Sequence, residues 1–376
     1  MKIALFCGFN GFHQFGTAHA KRTEGFSELS SEWLAGDNLK YAFSWSFNVL
    51  ARGRDVTLSG FLEDVPGNQK TFTLTDEIKS VGATHNYCLV LLSNGKLYRI
   101  NAHNCLLEEL NFTNVERPRK RSIFGEEKDQ DTSDPIDLIA CGRYMCVAIT
   151  KNKCVYNVPS KIYEFPRHVK VKELVCGFEH ALALTGNGDV YSWGNGLRGQ
   201  LGHPELKVEE APKLIDALAG VKMVAISAGG WHSAAISSFG DLYLWGSNIN
   251  GQLGVRVYSN ITSPDGKVFE RKNPTVYALP QVIEPGPCCA NQDHGGTEAD
   301  SCNVSQVACG ARHTFIRNEC GRAYYCGWNE HNQLGQGREL KFVDEMREFT
   351  FEKTWSNCTI YCGPWCTLLV GQNCND

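Results

Sequence analysis

The sequence predicts an all-β fold in which seven small antiparallel sheets pack radially around one axis. Two observations lead to this prediction: a segment that recurs with a period of about fifty residues, and two chain ends that each supply half of one further segment. A sheet this small cannot bury both of its faces by itself, whereas radial packing of several sheets covers them and leaves only short strand edges. We therefore expect a single domain over residues 1–376.

Three strong repeats show how each sheet is built. They occupy residues 176–202, 228–254 and 309–335. Each begins with Cys-Gly or Ala-Gly and a histidine, runs through an apolar stretch into a glycine turn, and continues through a second apolar stretch to Gln-Leu-Gly. Apolar stretches of this length and composition predict a hairpin of buried strands. The turn glycine, where positive φ is expected, stands eight positions after the histidine in each repeat: Gly188, Gly240 and Gly321.

Three weaker repeats and one split repeat bring the number of sheets to seven. The weaker repeats lie at residues 43–60, 82–100 and 141–156. In the last of them Lys153 occupies the turn position. The C-terminal segment 362–370 begins a repeat and stops where the turn would come, and residues 4–16 match the second strand and tail of the strong repeats. We therefore expect the two chain ends to pair in one sheet and to close the ring.

Composition bears on the classes of partner and cofactor. The net charge of −4 supplies no positive field that would attract nucleic acid or an anionic membrane. Seventeen cysteines without a recognisable secretory signal indicate a reducing compartment, in which most of them serve as small buried hydrophobic residues. We expect a monomer that binds no cofactor and no metal. The one cysteine and histidine cluster fits no standard zinc-ligand spacing; it comprises Cys288, Cys289, His294 and Cys302.

The repeated histidines favour a structural role over a catalytic one. His180, His232 and His313 recur at one position of the repeat, where they could converge on the axis as ligands or bases, or could satisfy buried backbone groups at the entrance of each sheet. We favour the second interpretation, because other repeats hold unrelated residues there: Trp45, Met145 and Cys366. The sequence offers no activated nucleophile, paired carboxylate or phosphate-binding glycine loop. We expect a protein that is not an enzyme.

Binding function is expected where the repeats stop agreeing. The residue just before the histidine position varies among Tyr, Glu, Trp and Arg, so the scaffold does not dictate its choice. Such positions should gather on one face near the axis, where Trp, Tyr and Arg act as interface anchors. The alternative is that each of these side chains is simply exposed or locally packed. The predicted partner-binding residues are Tyr144, Glu179, Trp231, Arg312 and Trp365.

Two insertions interrupt the repeats. Residues 101–136 include the basic run Arg117–Arg121 followed by an acidic stretch, which is typical of a solvated loop and also of a nuclear localisation signal. Residues 255–303 are rich in Pro, Gly and Asn and predict a long connecting loop. Loops on a rigid scaffold often carry recognition.

The repeat resembles a known family. The Cys-Gly-x-x-His opening, the Gly-Asp turn, the Trp-Gly strand end and the Gly-Gln-Leu-Gly tail are those of the regulator of chromosome condensation repeat. That resemblance covers nearly the whole chain and implies a seven-bladed β-propeller.

The same resemblance implies a function. Similar proteins are non-enzymatic partners of a Jumonji-C oxygenase, an iron and 2-oxoglutarate enzyme, in chromatin regulation and chromosome segregation. By this resemblance Arg143 in Cys141-Gly142-Arg143-Tyr144 corresponds to an arginine that the oxygenase hydroxylates, although it could equally be an ordinary loop residue. The resemblance also implies location in the nucleus and on chromosomes, with cytoplasm as a further site, and contact with histones or chromatin that is indirect.

A second implication is nucleotide exchange on a Ran-like small GTPase, the activity of the founding member of the family. That activity uses one propeller face and a projecting wedge. No segment of the sequence could be identified as the wedge, so exchange is the alternative function.

Overall fold

Strands account for nearly all of the regular structure in a computed structural model of the protein. It describes residues 2–19, 21–30, 33, 38–112, 134–262, 268–286, 302–349 and 355–373. The first fifteen strands in chain order are β1 Lys2–Gly8, β2 Ser27–Glu28, β3 Lys40–Phe43, β4 Phe47–Arg52, β5 Asp55–Leu62, β6 Val65–Thr73, β7 Ile78–Ala83, β8 Tyr87–Leu92, β9 Leu97–Asn101, β10 Leu107–Leu110, β11 Ile136–Cys141, β12 Cys146–Thr150, β13 Cys154–Asn157, β14 Ser160–Glu164 and β15 Val171–Cys176.

The remaining strands follow the same four-strand rhythm, with one extra hairpin. They are β16 His180–Thr185, β17 Val190–Gly194, β18 Glu209–Leu214, β19 Met223–Ala228, β20 His232–Ser237, β21 Leu242–Ser247, β22 Tyr258–Thr262, β23 Val268–Lys272, β24 Val276–Ile283, β25 Val304–Cys309, β26 His313–Asn318, β27 Ala323–Trp328, β28 Phe342–Phe349, β29 Trp355–Cys362 and β30 Cys366–Asn373. A single turn of 3-10 helix, Asp216–Leu218, follows β18.

The strands form seven four-stranded antiparallel sheets, which confirms the predicted seven-bladed propeller. We number the blades along the chain: blade 1 holds β3 to β6, blade 2 β7 to β10, blade 3 β11 to β14, blade 4 β15 to β18, blade 5 β19 to β21 with β24, and blade 6 β25 to β28. Blade 7 has the order β2, β1, β30, β29 and so contains both chain ends. The first strand of each blade lies nearest the axis and contacts the first strand of its neighbour.

Pairing of the two chain ends closes the ring, as the split repeat predicts. β1 pairs with β30 in continuous antiparallel register from Lys2 opposite Gln372 to Gly8 opposite Cys366. Blade 7 then packs against blade 1, where the rings of Tyr41 and Tyr361 lie 5.1 Å apart. The chain therefore cannot separate its first and last blades without breaking a central pair of strands.

The blades are larger than the predicted hairpins, and the predicted loop boundaries need correction. The inner first strand and the outer fourth strand of each blade were not predicted from the repeats. Residues 107–110, placed within the predicted insertion 101–136, are β10 and pair with β9. Residues 276–283, placed within the predicted insertion 255–303, are β24 and pair with β21, while β22 and β23 form a separate hairpin. Outer strands alternate in burial only weakly, so they carry little of the apolar signal used for prediction.

Apolar packing occurs between blades as well as within them. Trp193 and Trp245 are fully buried, and one core cluster joins Leu182 and Leu184 of blade 4 to Ala235 and Trp245 of blade 5. Because a four-stranded sheet alone would expose both faces, packing between blades removes most of the apolar surface from water.

Buried cysteines fill strand positions as expected. Cys7, Cys88, Cys309 and Cys366 are all buried, and burial raises the pKa of the Cys88 and Cys366 thiols to about 12. At neutral pH they remain protonated thiols and behave as small apolar residues.

The repeated histidines link neighbouring blades through a hydroxyl group. His180 Nε2 lies 2.8 Å from Ser233 Oγ of blade 5, and that hydroxyl donates to the backbone carbonyl of Gln200 at 2.8 Å. Since the hydroxyl proton is used on the carbonyl, the imidazole must be the donor to the hydroxyl oxygen. The predicted role was direct satisfaction of backbone groups, whereas the structure places a side-chain hydroxyl between the histidine and the carbonyl.

We call this chain of contacts, from imidazole to hydroxyl to backbone carbonyl, the relay. The same relay repeats at the next two blade boundaries. His232 Nε2 lies 2.9 Å from Thr314 Oγ1, which donates to the carbonyl of Gln252. The corresponding set in blades 6 and 7 comprises His313, Thr367 and Gln333. The relay therefore explains why the histidine recurs, and the tail supplies a backbone carbonyl to it.

Packing against the relay histidine explains the glycine three residues before it. A Cβ atom on Gly177 would lie 2.1 Å from Cε1 of His180, and one on Gly229 would lie 2.3 Å from Cε1 of His232. No side chain fits between the imidazole and the backbone at this spacing. The Gly-x-x-His pattern is therefore a steric requirement of the buried ring.

Burial keeps the relay histidines neutral. It lowers the pKa of His180, His232 and His313 to about 3. Nδ1 of each ring is buried without a hydrogen-bond partner among the described residues, so a second proton would find no acceptor. Since the ordinary pKa of histidine is about 6.5, the unfolded chain takes up these protons first as the pH falls.

We predict that acid destabilises the protein through these histidines. Their contribution is fully present above about pH 6.5 and is lost progressively as the pH falls toward 3, at up to about 1.4 kcal/mol per pH unit for each ring. His232→Gln should lower the urea midpoint at pH 7 and make stability less dependent on pH between 7 and 5. The exposed His168→Gln is the control and should change the urea midpoint less than His232→Gln does. An unaltered slope in His232→Gln would contradict the assignment.

We predict different costs for two turn glycines that share a conformation. Gly188 and Gly321 have φ of +97° and +87°, so alanine costs about 1–2 kcal/mol at either position. A Cβ on Gly188 would also lie 2.8 Å from the backbone nitrogen of Met223, whereas a Cβ on Gly321 meets nothing within 4 Å. The crowding should add about 1–3 kcal/mol to Gly188→Ala alone. Denaturant unfolding of both variants measures the difference, and equal losses would be inconsistent with the close contact.

Candidate functional site

The loops that join the first and second strands of all seven blades converge around the axis at one face. They surround a cavity of about 110 Å³, whose lining includes Trp45, His85, Arg143, Phe178 and Pro364. We call this end of the axial channel the mouth. The connections between third and fourth strands leave from the same face, because strands alternate in direction within each antiparallel blade.

A closed ring of aromatic and arginine side chains encircles the mouth. Each member lies between 5.0 and 6.2 Å from the next, measured between ring centroids or from a guanidinium carbon to a centroid. We call this set the mouth ring. Its members are Trp45, His85, Tyr144, Arg143, Phe178, Trp231, Arg312, Trp328, His331 and Trp365.

The first part of the mouth ring lies on blades 1 to 4. The Trp45 and His85 rings stack at 5.0 Å with an interplanar angle of 13°. The Arg143 guanidinium lies over the rings of both Tyr144 and Phe178, at 5.1 and 5.5 Å. Such cation–π contacts fix the arginine without neutralising its charge.

The second part lies on blades 5 to 7. The Arg312 guanidinium lies over Trp231 at 5.1 Å and over Trp328 at 5.5 Å. Trp328 and His331 meet edge to face at 5.2 Å, and His331 lies 5.1 Å from Trp365. All of these side chains are half-buried, so each presents an edge or a face to solvent. They offer a broad amphipathic contact surface.

Backbone hydrogen bonds between blades hold the loops of the mouth in place. The amide of Tyr144 donates to the carbonyl of Phe178, the amide of Phe178 to that of Gly230, and the amide of Gly230 to that of Ala311, all at 3.0 to 3.2 Å. Ala311 continues the series to Pro364. The mouth ring is therefore preorganised, which lowers the entropy lost on binding a partner.

The charge of the mouth ring comes from its arginines. Burial and the nearby Arg143 lower the pKa of His85, and burial and Arg22 lower the pKa of His331. Both imidazoles are therefore neutral at pH 7 and act as aromatic rings. Burial and Arg198 lower the pKa of Arg312, yet a guanidinium stays charged at this pH.

The structure places four of the five predicted partner-binding residues in the mouth ring: Tyr144, Trp231, Arg312 and Trp365. Tyr144 is the most open, with 62% of its surface exposed. Glu179 lies at the same loop position but accepts a hydrogen bond from Asn195 Nδ2 at 3.2 Å instead of joining the ring. Arg143 belongs to the ring, and its Nε is buried without a hydrogen-bond partner among the described residues.

The alignment of Trp45 with the repeat histidines is wrong. Phe47 pairs with Gly60 as His180 pairs with Gly194, so Phe47 occupies the histidine position of blade 1. Trp45 stands two residues earlier, where His85, Arg143 and Phe178 stand in their own blades. Variation between blades at this position is the sequence signal that could have identified these residues, because the same criterion led to the predicted partner-binding residues.

Sequence reasoning also missed the contribution of the repeat tails. Trp328 ends β27 and His331 follows it in the tail of blade 6, and Arg198, which packs on Trp231, belongs to the tail of blade 4. The tails had been interpreted only as chain reversals. Disagreement between the repeats at Arg198, Asn250 and His331 could have indicated a surface role.

Some predicted features lie outside the described residues. These are the basic run Arg117–Arg121 and three members of the cysteine and histidine cluster, Cys288, Cys289 and His294. Where the chain is described, no group of three His, Cys, Asp or Glu side chains is arranged to hold a metal ion. The described segments also contain no helix with the length and apolar character needed to cross a bilayer.

Comparison with known proteins identifies the repeats. Models of the regulator of chromosome condensation (RCC1) repeat match residues 187–236 and 240–316, and also 171–200, 223–252 and 304–333. RCC1 domain-containing protein 1 of Homo sapiens is 34% identical over 97% of this chain and 94% of its own length. The chain belongs to the RCC1 repeat family.

Other RCC1 relatives agree in length and fold. RCC1 domain-containing protein 1 of Mus musculus is 29% identical over 96% of each chain. The crystal structure of Prp20p from Saccharomyces cerevisiae superposes with a TM-score of 0.71 at 17% identity, covering 100% of this chain and 92% of Prp20p. At that identity the likeness to Prp20p shows the propeller fold alone.

Proposed function

We propose that the protein is a non-enzymatic interaction propeller that binds a protein partner through the mouth ring. The closed, preorganised ring of tryptophan, tyrosine and arginine side chains on one face is the observation that supports this function. These residue types dominate the energy of protein interfaces, and half-buried aromatic rings anchor a partner at low entropic cost.

The proposed partner is a Jumonji-C oxygenase, in chromatin regulation and chromosome segregation. This identity comes from the resemblance to the repeat family and is consistent with the similarity to RCC1 domain-containing protein 1 over nearly all of the chain. The proposed location is the nucleus and chromosomes, and contact with histones or chromatin would pass through the partner. Arg143 is the proposed hydroxylation site, and its position within the mouth ring would bring it to the bound enzyme.

We predict that a Jumonji-C oxygenase from nuclear extract is retained by the immobilised protein and lost on changes to the mouth ring. Tyr144→Ala combined with Trp365→Ala removes two anchors, which should reduce retention about tenfold or more. Quantitative mass spectrometry of the retained proteins provides the measurement. Phe239→Ala is the matched control, because Phe239 is 74% exposed in a hairpin on the opposite face.

The same samples test Arg143. Tryptic peptides should show one added oxygen on Arg143 after incubation with the oxygenase, iron and 2-oxoglutarate, and none when 2-oxoglutarate is omitted. Retention that is equal in the ring variant and the control would contradict binding through the mouth. An unmodified Arg143 would contradict only its role as substrate.

Nucleotide exchange on a Ran-like small GTPase is the second candidate function. One observation favours it: the hairpin β22–β23 leaves blade 5 at the mouth face, between β21 and β24. Its base is fixed to blade 6, where Arg256 pairs with Glu345 at 2.6 Å and the amide of Val257 donates to Asp344 at 2.9 Å. A hairpin anchored beside the binding face is suited to act as a wedge. Prp20p, which shares the fold, has been studied for binding to Gsp1p and histones.

Release of a fluorescent guanine nucleotide separates the two functions. We predict no acceleration of release from a Ran-like GTPase by the wild-type protein, because binding to an oxygenase requires no such activity. Acceleration above the intrinsic rate, lowered by Arg256→Ala through loss of one of the two contacts at the hairpin base, would instead establish exchange.

A further inference from the structure

Two arginines share one tryptophan at the edge of the mouth ring. The guanidinium carbon of Arg198 lies 4.5 Å from the centroid of Trp231, and that of Arg312 lies 5.1 Å from it. We call Arg198, Trp231 and Arg312 the Trp231 clamp. Arg312 is further fixed by a hydrogen bond from Nη1 to Asn250 Oδ1 at 3.5 Å.

The positive charge of the clamp is not compensated within the described part of the chain. Other surface arginines form ion pairs: Arg99 with Glu108, and Arg322 with Glu348. Neither Arg198 nor Arg312 lies within ion-pair distance of a described carboxylate. Two guanidinium groups held near one indole repel each other, and an external carboxylate would relieve that repulsion.

Apolar side chains flank the clamp. Leu197 precedes Arg198 and is 58% exposed, and Ile249 precedes Asn250 and is 51% exposed. Both lie in connections between third and fourth strands, at the same face as the mouth ring. The surface therefore combines two unpaired cations with exposed aliphatic groups and the indole.

We propose that the Trp231 clamp binds an acidic segment of a protein partner in which an apolar residue stands next to aspartate or glutamate. This inference rests on the proposed interaction function and names the chemistry that one part of the mouth face recognises. The carboxylates would pair with the two guanidinium groups and the apolar residue would contact Leu197 and Ile249. A nucleic acid fits less well, because tight binding requires many phosphate contacts, whereas the clamp offers two cations on a chain of net charge −4.

Selection from a displayed library of random dodecapeptides on the immobilised full chain tests this proposal. Wild type should enrich peptides that carry Asp or Glu beside Leu, Ile, Phe or Trp. Arg198→Gln with Arg312→Gln should lose that enrichment, and selected peptides should bind it about tenfold or more weakly in fluorescence anisotropy. Arg54→Gln with Arg167→Gln makes the same change in charge on the opposite face and should select as wild type does.

A conservative variant keeps the test valid if the glutamine variant fails to fold. Arg198→Lys with Arg312→Lys retains both charges and loses the planar stacking, so it should keep the preference for acidic peptides at lower affinity. No enrichment on wild type, enrichment of basic or uncharged peptides, or enrichment that survives in a folded glutamine variant would each overturn the proposal. Retention of the oxygenase is measured separately with the Tyr144→Ala and Trp365→Ala variant. A failed peptide selection therefore does not decide whether the oxygenase binds, and failed retention does not decide whether the clamp binds acidic peptides.

Discussion

Antiparallel pairing of β1 with β30 is the constraint on which the rest of the structure depends. Seven blades can present one loop each to a common mouth only while the first and last remain joined. Contacts such as Trp45 with Trp365 cross the junction between blades 1 and 7, and they exist because the chain ends hold those blades together. The mouth ring is thus a product of closure, and no isolated repeat could form it.

The hydrogen-bonded relay explains why the strong repeats look alike. The imidazole packs on a glycine backbone and donates to a hydroxyl in the next blade, and that hydroxyl donates to the backbone carbonyl of a glutamine. The glycine, the histidine and the hydroxyl residue are therefore fixed together. The residue before the histidine takes no part in the relay. Trp231 and Arg312 differ for this reason, and the same freedom allows them to carry recognition.

Much of the fold could be predicted from the sequence, and less of the site. Glycine turns, buried second and third strands and the split repeat have strong apolar and steric signals. The outer strands β10 and β24 do not, because one of their faces is open to solvent, and they were therefore assigned to loops. Trp45 was misaligned because blade 1 replaces the histidine by Phe47. Arg198 and His331 were missed because their contacts join segments distant in the sequence.

The relays join blades 4 to 5, 5 to 6 and 6 to 7, whereas blades 7, 1, 2 and 3 hold Cys366, Phe47, Tyr87 and Met145 at the histidine position. The relay therefore braces one side of the disc, and other contacts close the remaining boundaries. Asn48 Nδ2 donates to the backbone carbonyl of Gln14 between blades 1 and 7, and Lys79 pairs with Asp137 between blades 2 and 3. Arg143 lies at a further boundary of this kind, between blades 3 and 4, where its guanidinium lies over the ring of Phe178 and so joins the two blades without the histidine.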